Sequence, residues 1–184
     1  MPDLYFSTDI EADGPIPGPH SMLSFASVAI TAEGTVLASY SSNLTLLDNA
    51  APHPRTADFW AKNPAAYTAT RIAPQPPEIA IPRYVEWVES LPGSPVFVAY
   101  PATFDFLFMY WYMIRFAGRS PFAHSALDMK TFAWSILKRP FRETIKSNFP
   151  RHWFTDKPHT HIAADDALEQ AHLFVNMLKD HTKA

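Results

Sequence analysis

The chain has 184 residues, 47% hydrophobic and 18% charged, a composition typical of a globular protein with a full apolar core and not of a disordered chain. The absence of cysteine excludes disulfides and thiolate metal sites, and no apolar run approaches the ~18 residues of a membrane span. The formal net charge is −3, but two bound divalent cations would reverse its sign, so charge alone excludes no class of ligand.

The length favours one domain over residues 1–184. The first twenty residues contain acidic side chains but no Lys or Arg, unlike a secretory signal. We therefore expect a soluble, cytoplasmic protein that does not associate with a membrane.

Residues of high strand propensity predict four strands, at residues 4–9, 21–31, 36–44 and 96–100. Glu33 and Gly34 predict the hairpin turn between the second and third strands. Thr56 is expected to cap a short helix that runs to Lys62, and longer helices are predicted at residues 77–90, 104–116, 128–137 and 163–179. The helix at 104–116 is apolar on nearly all sides and is expected to be buried. This order of elements predicts an α/β fold.

Asp9 and Glu11 stand two positions apart at the end of the first predicted strand. Alternate residues of a strand project to the same face, so the two carboxylates would repel each other there. A bound divalent cation would turn this repulsion into attraction, and the pair therefore indicates a metal site. Asp13 could also approach that site, but a turn before Gly14 is the favoured interpretation.

Two distant segments carry side chains of the same kind. Asp105 follows Phe104 at the start of the aromatic helix, and Asp166 follows His161 by five positions near the end of the chain. Two divalent ions can activate a water and hold a scissile phosphate, and oxygen ligands suit Mg²⁺ or Mn²⁺. His161, one helical turn ahead of Asp166, would be the general base, because imidazole titrates near neutral pH. The three segments together predict a site for two Mg²⁺ or Mn²⁺ ions with four carboxylate ligands: Asp9, Glu11, Asp105 and Asp166.

These motifs resemble those of the DEDDh (DnaQ-like) 3′–5′ exonucleases, a family of the ribonuclease H-like superfamily. The family pattern is Asp-x-Glu, then an Asp commonly preceded by Phe, then His-x4-Asp. The order and separation of the motifs suit a domain of this length, and the resemblance covers nearly the whole chain. The chain departs from a common version of the second motif, because it has Tyr100 and Pro101 where many members have His-Asn ahead of the Asp. The chain matches the pattern at five positions: Asp9, Glu11, Asp105, His161 and Asp166.

The resemblance implies a ribonuclease H-like fold, in which an antiparallel meander and parallel strands form one mixed sheet flanked by helices. It implies a 3′–5′ exonuclease that hydrolyses phosphodiester bonds and releases nucleoside 5′-monophosphates, with the five matched residues as its catalytic residues. The compact size fits single-stranded or short nucleic acid, with RNA slightly favoured over DNA. Self-association into a homodimer is also implied. Contacts to the substrate are expected from four further residues: Ala12, Met22, Leu23 and Phe104.

Each of these assignments has an alternative interpretation. The apolar substrate contacts could be core residues, as could the aromatic candidates Trp60, Tyr100 and Trp111. Asp105 could cap the helix that begins beside it.

Neighbouring residues compete with the third motif. His159 competes with His161, and Asp165 competes with Asp166 as an acidic residue in the first turn of the last helix. Only the His-x4-Asp spacing selects the second member of each pair.

A basic segment precedes the third motif. It could grip substrate phosphates beside the active site or be a solvated loop. Two other functions stay open: an inactive nucleic-acid-binding module of the same fold, and a zinc-dependent hydrolase that uses His159 and His161. The dependence of activity on Mg²⁺, Mn²⁺ or Zn²⁺ separates them. Within residues 138–161 the basic side chains are Lys138, Arg139, Arg142, Lys146, Arg151 and Lys157.

Overall fold

The computed structural model, which describes residues 1–155 and 160–182, contains a five-stranded sheet. Its strands are β1 (Asp3–Ala12), β2 (Met22–Ile30), β3 (Val36–Asn43), β4 (Ser94–Ala99) and β5 (Leu127–Asp128). The spatial order is β3-β2-β1-β4-β5, with antiparallel pairs among the first three strands and parallel pairs from β1 through β4 to β5. The mixed sheet that the family resemblance implied is confirmed.

Helices cover both faces of the sheet. They are α1 (Pro54–Lys62), α2 (Pro64–Thr70), α3 (Pro77–Ser90), α4 (Ala102–Ala117), α5 (Met129–Leu137) and α6 (Ala163–His181), with three single 3₁₀ turns between α5 and α6. The helices α3 and α4 pack on one face, while α5 and α6 pack on the other. A strand buried on both faces is expected to be mostly apolar, and all nine residues of β2 are buried, with Ser24 and Ser27 as its two polar side chains. Among the described residues, no helix has the length and apolar character needed to cross a membrane.

Several predicted details of the helices were wrong. The predicted cap Thr56 lies inside α1, which begins at Pro54, and the side chain of His53 accepts a hydrogen bond from the Arg55 N–H at 3.3 Å. Proline suits the first helical position because its fixed φ is helical and it lacks an N–H. The helix α2 was not predicted, since its small and polar residues show no clear apolar period. The aromatic helix α4 is not buried all round, because Leu107 and Ile114 are exposed on its outer face.

The staggered ends of β1 and β4 create the place for a site. Their parallel pairing ends at Ser7 and Val98, but β1 continues to Ala12, beyond the end of β4. The last residues of β1 therefore project past β4, where α4 begins. On the other face, the Ser7 hydroxyl donates to the Ala167 carbonyl of α6 at 2.9 Å, which fixes α6 against β1.

Candidate active site

The first motif lies where β1 loses its regular pairing with β2. Asp9 pairs with Ala26 and Glu11 with Ser24, and an irregularity follows directly between Glu11 and Ala12. Such irregularities at strand ends redirect side chains and end the pairing. Beyond it, the Ala12 carbonyl accepts a hydrogen bond from the Trp60 indole N–H at 3.1 Å, so α1 holds the strand end in place.

Asp13 has the turn role that was favoured for it. Its Oδ1 atom accepts a hydrogen bond from the Ser21 N–H, and its carbonyl accepts one from the His53 N–H at 2.7 Å. The first bond closes the loop between β1 and β2, and the second ties this loop to the residue that precedes α1.

Asp105 is anchored to the first motif by its side chain. It lies in the first turn of α4, is 4% exposed, and its Oδ1 atom accepts a hydrogen bond from the Ile10 N–H at 3.1 Å. The alternative role of Asp105 as the helix cap is wrong, because α4 begins three residues earlier and Pro101 stands at the cap position. Asp128 instead binds the helix start, where its Oδ2 atom accepts from the Ala102 N–H at 2.8 Å.

The third motif meets the first across the face of the sheet. Asp166 is buried in the first turn of α6, and its Oδ1 atom accepts a hydrogen bond from the Thr160 N–H at 2.9 Å. Ligand atoms of Glu11, His161 and Asp166 all lie within 4.8 Å of one another. The fold thus brings His161 and Asp166 to Glu11 of the first motif, while Asp165 is exposed. The competing His159 lies outside the described residues.

His161 is not in a helical turn, contrary to the prediction. It precedes the first residue of α6 by two positions, and its backbone adopts a left-handed conformation with φ of 57°. Its imidazole packs edge-on against the ring of Phe59, with 5.1 Å between the ring centroids. The side chain is therefore half-buried and approaches the carboxylates from the α1 side.

Three of the four carboxylates have raised pKa values, and the charge of Asp166 contributes to two of these shifts. Burial, followed by the charges of Asp105, Glu11 and Asp166, raises the pKa of Asp9 well above its usual range. Burial and the charges of Asp166 and Asp105 raise the pKa of Glu11 to about 8. Burial raises the pKa of Asp105 to about 7, even though the Ile10 hydrogen bond favours its charged form. Without a cation, this cluster keeps its protons at pH values where an exposed carboxyl group is ionised.

A group of four carboxylates that resists ionisation fits divalent metal ions. Hard oxygen donors suit Mg²⁺ and Mn²⁺, and bound cations would remove the repulsion that raises these pKa values. The residues able to hold such ions are Asp9, Glu11, Asp105 and Asp166. Their assignment as ligands, and that of His161 as the base, stays a prediction.

The expected substrate contacts differ in burial. Met22 and Leu23 are fully buried in the core, and Ala12 is 7% exposed. Phe104 is partly exposed and packs on Phe108, with 5.2 Å between ring centroids. The burial of Met22 and Leu23 leaves little surface for a nucleotide base, and the contacts of all four residues to substrate stay a prediction.

One residue of the basic segment reaches the site. The Lys146 ammonium group forms an ion pair with Glu169 at 3.0 Å and lowers the pKa values of both Asp9 and Asp105. Two of the other basic residues, Lys138 and Arg142, have exposed side chains. The sequence contains six basic candidates and no signal that distinguishes Lys146, because its contact with Glu169 depends on how the three 3₁₀ turns fold back.

The chain has a ribonuclease H-like fold, in which four carboxylates and a histidine converge at the end of β1. No family model matches the sequence. A 3′–5′ DNA exonuclease of Escherichia coli, Cap18, is 29% identical over 94% of this chain and 90% of its own length.

Solved structures support the same fold. The nuclease domain of 3′hExo, described as a DEDDh family member bound to rAMP, has a TM-score of 0.70 at 14% identity and covers 97% of this chain and 92% of its own. An exonuclease I structure, in a complex named ExoI/SSB-Ct, has a TM-score of 0.64 at 15% identity and covers all of this chain, which spans 42% of that longer protein. The sequence is therefore similar to that of a 3′–5′ DNA exonuclease and the fold to that of a DEDDh family member, in agreement with the motif resemblance.

Proposed function

We propose that this protein is a 3′–5′ exonuclease that depends on two Mg²⁺ or Mn²⁺ ions and acts on single-stranded or short nucleic acid. Its product would be the nucleoside 5′-monophosphate from the 3′ end. The observation that carries this proposal is the convergence of Glu11, His161 and Asp166 within 4.8 Å, beside Asp9 and Asp105. We also propose that residues 1–184 form this one nuclease domain.

DNA is the proposed substrate class. The curated relative that covers most of the chain is named a DNA exonuclease, and the slight preference for RNA expected from compact size receives no support from it. Since 2′-hydroxyl groups are often read by backbone atoms, no single side chain here argues for either sugar. Self-association stays an expectation from the family, which sedimentation can check.

His161 has the geometry of a general base. Its imidazole lies beside Glu11 and Asp166, and Phe59 limits its movement. It would accept a proton from the attacking water, whose oxygen bonds to phosphorus as the bond to the 3′ oxygen of the preceding nucleotide breaks. Divalent ions held by the carboxylates would supply charge stabilisation and a polarised water. The buried walls of β1 and α4 keep bulk water from Asp105 and Asp166.

The decisive assay uses single-stranded DNA and RNA of the same sequence, each labelled at the 5′ end. In Mn²⁺ or Mg²⁺, we expect a ladder shortening from the 3′ end, faster for DNA, with EDTA abolishing it. Asp105→Asn is the matched inactive control. Activity restored by Zn²⁺ alone would favour the zinc-hydrolase alternative, and binding without cleavage in any metal would favour the inactive module.

A further inference from the structure

Lys146 is a cation held inside an acidic site. Its side chain is 31% exposed, and the Nζ atom donates to Oε2 of Glu169, which is only 7% exposed, at 3.0 Å. The same ammonium group stands over the Tyr100 ring, 5.5 Å from its centroid. An ammonium group has three donors, and among the described residues Glu169 is its hydrogen-bond partner, so two donors stay available for a ligand.

The two supports of Lys146 come from the elements that carry two of the motifs. Glu169 follows Asp166 by three residues on α6, which places it about 4.5 Å further along the helix axis. Tyr100 links β4 to α4, the helix that carries Asp105. The Tyr100 hydroxyl donates to the Thr144 carbonyl at 3.4 Å, which ties this ring to the segment that contains Lys146. Lys146 is therefore held by one side chain of α6 and by one from the connection between β4 and α4.

Along the axis of α6, His161 and the contact that Lys146 makes with Glu169 lie on either side of Asp166. His161 precedes the amino end of α6 and packs on Phe59 of α1, whereas Lys146 contacts the next turn of α6 at Glu169. His161 clusters with Glu11 and Asp166, while the charge of Lys146 acts on Asp9 and Asp105. A phosphate bound between these carboxylates would have the imidazole on one side and the ammonium on the other.

We propose that the Lys146 ammonium group contacts the scissile phosphodiester on the side of the leaving 3′ oxygen, opposite His161, and that Glu169 and Tyr100 position it. This inference rests on the proposed exonuclease function. In a displacement at phosphorus, the attacking and leaving oxygens are roughly in line, so a base on one side places the leaving oxygen on the other. Negative charge develops on that oxygen as its bond to phosphorus breaks, and a preorganised cation stabilises it.

The need for this cation depends on the leaving group. A nucleoside 3′ oxygen leaves as a strongly basic alkoxide, but p-nitrophenolate is a stable anion that needs little stabilisation. Loss of Lys146 should therefore slow cleavage of a dinucleotide far more than cleavage of the p-nitrophenyl ester of thymidine 5′-monophosphate. A residue that only supports the fold would slow both reactions equally.

The experiment compares kcat for dithymidine dinucleotide and for this ester, in Mn²⁺, for wild type and Lys146→Met. We expect kcat on the dinucleotide to fall on the order of 10- to 100-fold, at or below the usual effect of one charge-stabilising donor, since Lys146 is partly exposed. On the ester, kcat should fall by less than about threefold, since charge stabilisation of the leaving oxygen is then hardly needed. Lys146→Arg should retain most activity on both substrates. Mn²⁺ affinity, measured by calorimetry, should not weaken in Lys146→Met, because a cation has been removed from a cation site.

Controls separate the inference from folding and from the proposed function. Lys179→Met removes an exposed ammonium group near the far end of α6 and should leave both reactions unchanged. Lys146→Met leaves Glu169 buried without its ion-pair partner, so the double variant with Glu169→Gln should show the same selective loss in a protein without that charge. An equal loss on both substrates, or no loss on either, would overturn the role of Lys146 while leaving the exonuclease function intact. A wild-type protein inactive on both substrates would overturn the proposed function itself.

Discussion

The backbone N–H of Ile10 donates a hydrogen bond to Oδ1 of Asp105 at 3.1 Å, across 95 positions of sequence. Ile10 lies between Asp9 and Glu11, so this single bond holds the second motif against the first. It also occupies one lone pair of a carboxylate that is proposed to bind metal. Asp105 therefore has two roles that different substitutions can separate: it contributes charge to the site, and it accepts a hydrogen bond from a buried N–H.

Asp105→Asn and Asp105→Ala should separate these two effects. Asparagine keeps an oxygen that can accept from Ile10, so the metal-free variant should be as stable as wild type or more stable, because one source of repulsion is gone. Alanine leaves the N–H without its acceptor and should cost about 1–3 kcal/mol in the free energy of unfolding. Both should lower activity more than about 100-fold, since even the residues that only orient metal ligands typically matter by 10–100-fold.

Chemical denaturation in EDTA and hydrolysis in excess Mn²⁺ measure the two properties. Asp165→Asn is the matched control, because Asp165 is exposed beside Asp166 and should give wild-type activity. Substantial activity in Asp105→Asn would remove Asp105 from the proposed ligand set.

His161→Ala should lower kcat by ~10²–10⁴-fold, the usual contribution of a general base. Mn²⁺ affinity should change little, because the carboxylates hold the ions in the proposed site. The wild-type rate should fall on acidification as the imidazole protonates, and this limb of the pH profile should vanish or shift in the variant. A variant that loses Mn²⁺ affinity in parallel with kcat would instead make His161 a metal ligand.

His159→Ala is the control for this assignment and should retain wild-type kinetics. An inactive His159→Ala together with a nearly normal His161→Ala would reverse the choice between the two histidines.

Stability of the metal-free protein should increase as pH falls from about 8.5 to about 5.5, a window set by the folded pKa values and the unfolded references. The folded-state pKa values of Glu11, about 8, and Asp105, about 7, exceed the unfolded values of 4.5 and 3.8. The folded state therefore binds more protons than the unfolded state in this window, and proton uptake stabilises it. Scanning fluorimetry in EDTA should show Tm rising by at least several degrees, since each kcal/mol shifts Tm by about 2–4 °C at this size.

Saturating Mn²⁺ should abolish or reverse this trend, because metal binding requires the ionised carboxylates. Glu11→Gln should flatten the dependence in EDTA. A Tm that falls steadily over the same interval without metal would contradict the coupling of these carboxylates.

Arg142 and Arg151 test whether the exposed basic surface grips longer substrates. Both lie on 3₁₀ turns of the segment that carries Lys146. Replacing both with Ser should raise KM for a 20-nucleotide single strand and reduce the slope of log KM against log salt by up to about 1.4, at ~0.7 for each phosphate contact. Kinetics on a dinucleotide should not change, since it cannot reach this surface.

Identical salt slopes for wild type and the double variant would assign Arg142 and Arg151 to solvated surface. Lys179→Ser with Lys62→Ser provides a pair with the same loss of charge outside this segment.

Much of the fold follows from local patterns. The helix at 77–90 matches α3 residue for residue, and the predicted strands and helices occur in the predicted order, because apolar periodicity and proline positions act within a few residues. The two-residue strand β5 was not predicted. The cap of α1 and the whole of α2 were missed, since both depend on proline starts and on packing rather than on apolar period. The prediction that α4 is buried was wrong for its outer face, because composition does not say which side of an apolar helix packs on the sheet.

The motif residues were identified from the sequence because their chemistry is tied to short spacings. Asp9 and Glu11 share a strand face because side chains alternate along a strand with a period of two residues. His161 and Asp166 are recognised as a pair because they are five positions apart. No such rule reaches Asp128, whose carboxylate binds the starts of both α4 and α5 through Ala102 and Thr131. Its role becomes visible only when β5 is placed next to β4.

The sequence by itself therefore determined the type of chemistry, since carboxylates and an imidazole at these spacings leave few alternatives. The tertiary structure decided their surroundings: which carboxylates are buried, the direction in which their pKa values shift, and that the charge of Lys146 acts on Asp9 and Asp105. Local patterns record dihedral preference and the side on which a residue projects. Burial and charge coupling depend on distances between segments far apart in the chain, and only packing of β1, α4 and α6 sets those distances.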